Sequence, residues 1–367
     1  MTGRFVLQNV KMVEGNAADI ILENRKIVEI VPPGTGIGEK VMDYKHKVFV
    51  SSGWIDMHVH AFPEFDPYGD DVDEIGYKTG VTTIIDAGST GADRLPDLVS
   101  SCKNSKTNVF AFLNISRIGL KRIDELSDIS WLNEEELKKA IAENRDFIIG
   151  LKARISKSVV GTNGVEPLKI ARKFSADTDL PLMVHIGSGP PNINEVLDLL
   201  EEKDIITHYL NGKANNLFDD IGKPLPEFSQ AIERGVHLDV GHGTASFSFS
   251  TAETAKKCGI HFNTISTDIY RRNRLNGPVF SMANVLSKFL YLGYPLKEVI
   301  DAVTINAAEW LKKPELGRIS EGDNANLTLF SIENESTPLL DSEGEKRVAE
   351  QRVDVKGVVI NGEFIEC

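Results

Sequence analysis

The stretch "GWIDMHVHAF", Gly53 to Phe62, follows the apolar run "KVFVSS" and places two of the chain's eight histidines, His58 and His60, one residue apart. Side chains two apart on a strand point to the same face. If this is a strand, it aims two imidazoles at one place, with Asp56 on the same side. Alone, such a pair fits a solvated strand end as well as a metal site. Its meaning depends on what the rest of the chain brings beside it.

Working outward, short apolar, β-branched runs alternate with charged amphipathic segments. The predicted strands are "GWIDMHVH" (53–60), "VTTIIDAG" (81–88), "NVFAFLNIS" (108–116), "IIGLKARIS" (148–156), "LPLMVHIG" (180–187), "DIITHYL" (204–210), "VHLDVGHG" (236–243) and "NTISTDIY" (263–270). Several are almost wholly apolar, as strands covered on both faces are. Between them lie predicted helices such as 131–144, with Glu ahead of Lys at helical spacing, and 193–203. Eight such units in about 265 residues predict an α/β fold, a distorted (β/α)8 TIM barrel over 51–316. The two ends read as hairpin strands, with "NG" at Asn361–Gly362 as a turn signal. Neither end is a stable sheet alone. Together, 1–50 plus 317–367 predict one small β-sandwich domain.

Composition narrows the function classes. A net charge of −13 without a basic cluster argues against nucleic acid as a partner. No apolar run is long enough for a membrane span, and the N-terminus lacks a signal-peptide pattern. Three widely spaced cysteines suggest neither a disulfide framework nor a cysteine metal site. The expectation is a cytoplasmic protein acting on a small molecule, with a homo-oligomer left open.

Barrel active sites sit at the C-terminal ends of the strands. His58 and His60 fall there on the first strand, Lys152 on the fourth, His185 on the fifth, His208 on the sixth and Asp268 on the eighth. Histidine and carboxylate suit zinc or a similar divalent ion. Lys152 does not, as an ammonium. A buried lysine that loses its proton can add carbon dioxide, giving an anionic carbamate able to bridge two metals. Two other readings of Lys152 are a cationic substrate contact and a Schiff-base nucleophile. The second leaves four histidines without a task.

The order HxH, Lys, His, His, Asp resembles the amidohydrolase superfamily, and within it the dihydroorotase- and deacetylase-like group with a carboxylated lysine. The similarity covers most of the chain. "GRISEGDNANLTLF" (317–330) resembles that family's G-x-I-x-x-G-x-x-A-D-L-x-x-F, with Asn326 in place of Asp, and "THYLNG" resembles its sixth-strand segment. "GLKARISKSVVG" and "LDVGHGTASFSF" resemble a subgroup labelled deacetylase, dihydroorotase or adenine deaminase and linked to acetyl esters of 2-hydroxy acids. The resemblance implies two divalent ions, zinc first. His58, His60 and Asp268 would hold the more buried one, and His185 and His208 the other. Carbamylated Lys152 and a hydroxide would bridge them. It also implies Asp268 as the catalytic residue, general base and then general acid.

Three residues are candidates for substrate contact. Arg154 can clamp a substrate carboxylate or pair with a neighbouring acid. Asn211 can hydrogen-bond substrate or serve a turn before Gly212. His242, in "GHG", can touch substrate or pack against the barrel rim. The expected activity is hydrolysis of an amide or ester of a small carboxylate-bearing molecule. The alternatives are an adenine-deaminase-like aminohydrolase and a non-catalytic scaffold of the dihydropyrimidinase-related kind.

Overall fold

The computed structural model describes residues 3–367. Five strands open the chain: β1 (Phe5–Met12), β2 (Ala17–Glu23), β3 (Lys26–Val31), β4 (Lys40–Asp43) and β5 (Phe49–Ser52). Seven barrel strands follow: β6 (Trp54–Val59), β7 (Val81–Ala87), β8 (Asn108–Asn114), β9 (Ile148–Ile155), β10 (Leu182–Ile186), β11 (Ile205–Thr207) and β12 (His237–Asp239). The chain ends with β13 (Leu327–Glu333), β14 (Thr337–Leu340), β15 (Lys346–Ala349), β16 (Arg352–Ile360) and β17 (Glu363–Glu366).

Strands β6 to β12 form one parallel sheet in chain order. Every residue of β6 and β7 is buried, because the sheet is covered inside and out. Helices pack its outer face. The helix Glu134–Glu143 shows why they form where they do. Asn133 accepts from the Glu136 N–H, three glutamates in the first turn complement the helix dipole, and Leu137, Ala140 and Ile141 turn one stripe to the core. It is shorter than predicted because Ile129–Trp131 makes a separate 3₁₀ turn. The predicted helix at 193–203 likewise stops at Leu197. At the far end an apolar cluster from Ile55, Met57, Ile85, Phe112 and Ile205 meets Ala307, Ala308 and Leu311. There the Trp310 indole donates to the Lys203 carbonyl, ahead of β11. This closes the barrel at the N-terminal ends of its strands.

The predicted eighth strand is not a regular strand. Its backbone still closes the barrel, through parallel bridges Asp239–Thr264 and Val59–Ile269. The Asp268 N–H donates to His58 O at 2.7 Å, and the His60 N–H to Ile269 O at 3.0 Å. Two features break the ladder. The Asp56 carboxylate accepts from both the N–H and the hydroxyl of Thr267, a side-chain alternative to strand pairing. Asp268 itself has a left-handed φ of 51°.

The terminal strands make one mixed sheet, ordered β17-β16-β13-β5-β1-β2-β3, with β4 also on β1. The two ends of the chain meet where β5 runs antiparallel to β13. Because β5 reaches Ser52, this sheet hands over to the barrel between Ser52 and Trp54. Asn361 and Gly362 have φ of 47° and 77°, as a two-residue type I′ hairpin requires. The sheet curls over its own core of Phe5, Leu7, Ile20, Val50 and Leu329. Its β3 edge ties back to the segment before β13, where Ile27 N–H donates to Asp323 O and Ala325 N–H to Arg25 O. The small β-domain expected from the two termini is thus built round this sheet, separate from the barrel. A hairpin not foreseen from sequence, β14–β15, projects from it. Among the described residues no helix is long and apolar enough to cross a membrane.

Candidate metal centre and active site

His58 on β6 and His60 just past its end converge. Their Nε2 atoms lie 3.4 Å (His58) and 3.2 Å (His60) from the same Asp268 Oδ1. One ligand atom from each of the three residues fits within a 4.8 Å cluster. The two-residue spacing puts both rings at one centre, as alternation along a strand does, while the pairing of β6 with β7 slips between Trp54 and Ile55 and between Asp56 and Val59. Asp56 does not join the histidines. Its carboxylate accepts from Thr267 and from the His58 N–H. Burial pushes its carboxyl up to about 7 against the pull of these donors.

Lys152 is fully buried on β9, its Nζ 3.2 Å from His58 Nε2 and 3.2 Å from Met183 Sδ. Burial pulls the ammonium down to about 7, opposed by the charge of Asp268. His185 near the end of β10 and His208 just past β11 stack edge-on with ring centroids 4.4 Å apart, and His208 is 5.0 Å from His58. Like Asp268, with φ 51°, His208 has a left-handed φ, 72°, just outside its strand.

Hydrogen bonds fix the tautomers of two rings. The Thr207 hydroxyl donates to Asp239 Oδ2 at 2.8 Å, so it accepts from His58 Nδ1 at 2.9 Å. A carbonyl only accepts, so His208 Nδ1 donates to Gly241 O at 2.6 Å. In both rings the proton sits on Nδ1 and a lone pair remains on Nε2. Burial, reinforced by neighbouring positive charge, holds His58 and His185 well below the ordinary histidine value, and burial brings His208 down to about 3. Burial would raise Asp268, but the hydrogen bond with His60 and the nearby histidine and lysine charges outweigh it, so its carboxyl lies below the ordinary value. His208 Nε2 is buried without a partner. Neutral imidazoles, an ionised carboxylate and an orphaned buried nitrogen form a donor set that fits a divalent cation.

The "GHG" motif serves this centre through its glycines. A Cβ on Gly243, at φ 55°, would lie 2.4 Å from Asp268 Oδ2. One on Gly241, at φ 49°, would lie 2.7 Å from His208 Nδ1. His242 is turned away. Its Nδ1 donates to Gly243 O at 2.9 Å, its Nε2 accepts from Lys288 Nζ at 2.7 Å, and its ring stacks on Phe247 at 4.5 Å. It does not line the cavity at the barrel mouth. Nor does Asn211, which is buried and bridges the turn, donating to His208 O and accepting from the Lys213 N–H. Both sequence candidates for substrate contact are therefore placed as scaffold, because their polar atoms are already used inside the protein.

Arg154 does line the cavity. It also pairs with buried Glu125 at 3.2 Å and lies 5.5 Å over the Tyr68 ring. The cavity measures about 240 Å³ and is bordered by His58, His60, Lys152, His185 and Asp268, with His208 behind them. Its remaining wall includes Tyr68, Ser156, Lys213, Thr244 and Tyr270. The sequence reading missed these as site residues. Tyr68 sits in an aperiodic loop, and Lys213's only signal was its place two residues after Asn211. Arg274, past Asp268, forks onto Asp70 at 2.7 and 3.1 Å.

With the geometry in hand, comparisons with known proteins agree. The model of the amidohydrolase family matches residues 49–365. A deacetylase of Enterococcus faecalis is 41% identical over 363 residues, covering 98% of each chain. A solved structure described as an adenine deaminase superposes with a TM-score of 0.95 at 40% identity, covering 99% of each chain. One described as a dihydroorotase gives 0.92 at 32%, covering 100% of this chain and 99% of that one. The chain belongs to the amidohydrolase family, generally metal-dependent enzymes, and is a hydrolase of amide or ester bonds.

Proposed function

We propose that this hydrolase carries two divalent metals and removes an acetyl group from an amide or ester of a small carboxylate-bearing molecule. The observation that carries the reading is the donor set itself. Six residues from five places along the barrel wall converge at or just behind one small cavity, and the tautomers of His58 and His208 leave an Nε2 lone pair on each that a metal can take. His58, His60 and Asp268 would hold one metal, His185 and His208 the other, with Lys152 between them. Bound there, two such ions, zinc by the donor types, supply Lewis acidity at the scissile carbonyl and acidify the attacking water.

The chain's own groups do the rest. Lys152, titrating near 7 because it is buried, presents a neutral amine that can take up carbon dioxide. Conversion to a carbamate replaces a cation among the ligands with an anion. Asp268, held ionised and placed by His60, accepts the proton of the attacking water and returns it to the leaving group. Lys213 gives the substrate side of the cavity a positive charge, which suits a carboxylate. The volume is below the roughly 300 Å³ at which drug-sized sites begin, so the substrate is small. The name of the Enterococcus faecalis relative supports acetyl as the acyl group.

A second reading, deamination of a heterocycle such as adenine, is favoured by the description of the 0.95 TM-score neighbour. It ranks lower because the cavity wall carries the cations Lys213 and Arg154, which suit an anionic substrate better than a neutral base. The test is a hydrolysis screen of the metal-loaded protein on O-acetyl 2-hydroxy acids, N-acetyl amino acids and cyclic amides, with adenine alongside. Acetate release from an acetylated acid is expected. Ammonia from adenine without acetate from any acid would favour the second reading. A metal-free chain without turnover would favour a scaffold.

A further inference from the structure

We infer that Lys213, rather than Arg154, is the residue that binds the substrate's carboxylate. The inference rests on the proposed carboxylate-bearing substrate and assigns the group that recognises it. Both cations border the cavity, but their charges are in different states. Arg154 Nη1 is 3.3 and 3.2 Å from the two oxygens of fully buried Glu125, and its guanidinium faces the Tyr68 ring. Its guanidinium is already engaged by these two neighbours. Among the described residues Lys213 Nζ has neither an ion pair nor a side-chain hydrogen bond, although the residue is half-buried. A poorly solvated ammonium without a partner is unfavourable until an anion arrives.

The surroundings aim this amine at the reacting centre. Lys213 follows the ligand His208 by five residues. Asn211 fixes the turn between them, accepting from the Lys213 N–H at 3.1 Å and donating to His208 O at 2.9 Å. Opposite, Gly187 follows the ligand His185 by two. A Cβ there would lie 3.3 Å from Lys213 Nζ and 3.6 Å from His185 Nε2. The absent side chain leaves an opening that the ammonium and the imidazole share. An anion held by Lys213 therefore lies close beside His185. Such closeness selects a short link between carboxylate and acyl-bearing atom, as in a 2-acyloxy or 2-acylamino acid.

The experiment compares an O-acetyl 2-hydroxy acid with its uncharged carboxamide on wild-type, Lys213→Met, Lys213→Arg, Gly187→Ala and Arg154→Met proteins, with metal content measured for each. In the wild type the acid is preferred. Lys213→Met should lower kcat/KM for the acid by roughly 10- to 100-fold, mostly through KM, and collapse the acid-over-amide preference at unchanged metal content. Lys213→Arg should retain part of the preference. Gly187→Ala, which crowds the ammonium without removing it, should weaken it. If the preference survives in Lys213→Met and disappears in Arg154→Met, the assignment is wrong while the proposed substrate class stands. If Lys213→Met loses metal, the residue serves the metal centre and the assignment is also wrong. If the wild type does not distinguish acid from amide, the substrate class fails and the assignment with it.

Discussion

Gly243 has no side chain, yet the position of the Asp268 carboxylate depends on it. At φ 55°, with a Cβ due to fall 2.4 Å from Asp268 Oδ2, an alanine must both adopt an unfavourable backbone and displace the acid. Gly243→Ala should cost about 1–2 kcal/mol of stability and reduce kcat by roughly 100-fold, because a small misplacement of a catalytic group is expensive. Thermal denaturation and steady-state kinetics on the metal-loaded protein check both, and wild-type kcat would contradict the placement. The same residues show what sequence could and could not tell. His58, His60, Lys152, His185, His208 and Asp268 could be picked out as one candidate set because residue types that suit a metal, with a lysine among them, recur at the ends of apolar runs. "GHG" was also legible as a motif, but its histidine attracted the notice that its glycines earn. Whether a buried polar side chain faces a cavity or a neighbour such as Lys288 depends on partners tens of residues away. Lys213 and Tyr68 stand in loops where no periodicity indicates a direction.

At the scale of elements, the helix Met282–Tyr291 carries Lys288 into the core, where it donates to His242 and to Pro278 O at 2.8 Å. Burial pulls its ammonium down to about 7 from 10.5. Between those values the unfolded chain holds a proton that the folded chain has released, so stability rises with pH across this window. The slope from one such lysine is at most about 1.4 kcal/mol per pH unit. In metal-free protein Lys152 acts in the same direction. The denaturant-unfolding free energy should therefore rise from pH 7 to pH 9 in the wild type and rise less in Lys288→Met. Equal slopes would mean that Lys288 stays protonated in the fold. Elements were predicted well where apolar runs are long, as in β7 and β9, and poorly where side chains hold the backbone. The segment 264–269 reads as a strand, but Thr264, Ser266 and Thr267 spend their hydroxyls on Asp239 and Asp56 and it closes the barrel without regular pairing.

Across the whole molecule the terminal sheet is bound to the barrel mouth as well as to its flank. The loop of the β14–β15 hairpin reaches the segment after β12. Asp341 accepts from the Phe249 N–H at 3.1 Å, and the Ser342 hydroxyl donates to Gly243 O at 3.0 Å. Thr244, Ala245 and Ser246, which line the cavity, lie between these anchors. Asp341→Ala leaves a buried N–H unpaired and should lower stability by about 1–3 kcal/mol, with a raised KM from a looser wall. Thermal unfolding and kinetics measure these, and unchanged values for both would show that the hairpin does not brace the site. The pairing of the two chain ends was legible from short strands that could not be stable apart. The hairpin was not, since "TPLL" and "KRVA" are too short and mixed to signal strands. We propose that this barrel mouth is a two-metal hydrolytic centre in which Lys152 supplies an anion. Metal analysis of zinc-reconstituted wild-type and Lys152→Ala proteins, each assayed with and without an added short carboxylic acid, tests it most directly. Two metals per chain are expected in the wild type, one or fewer in Lys152→Ala, and activity partly restored by the acid. Two metals and full activity in Lys152→Ala without the acid, or less than one metal in the wild type, would contradict it.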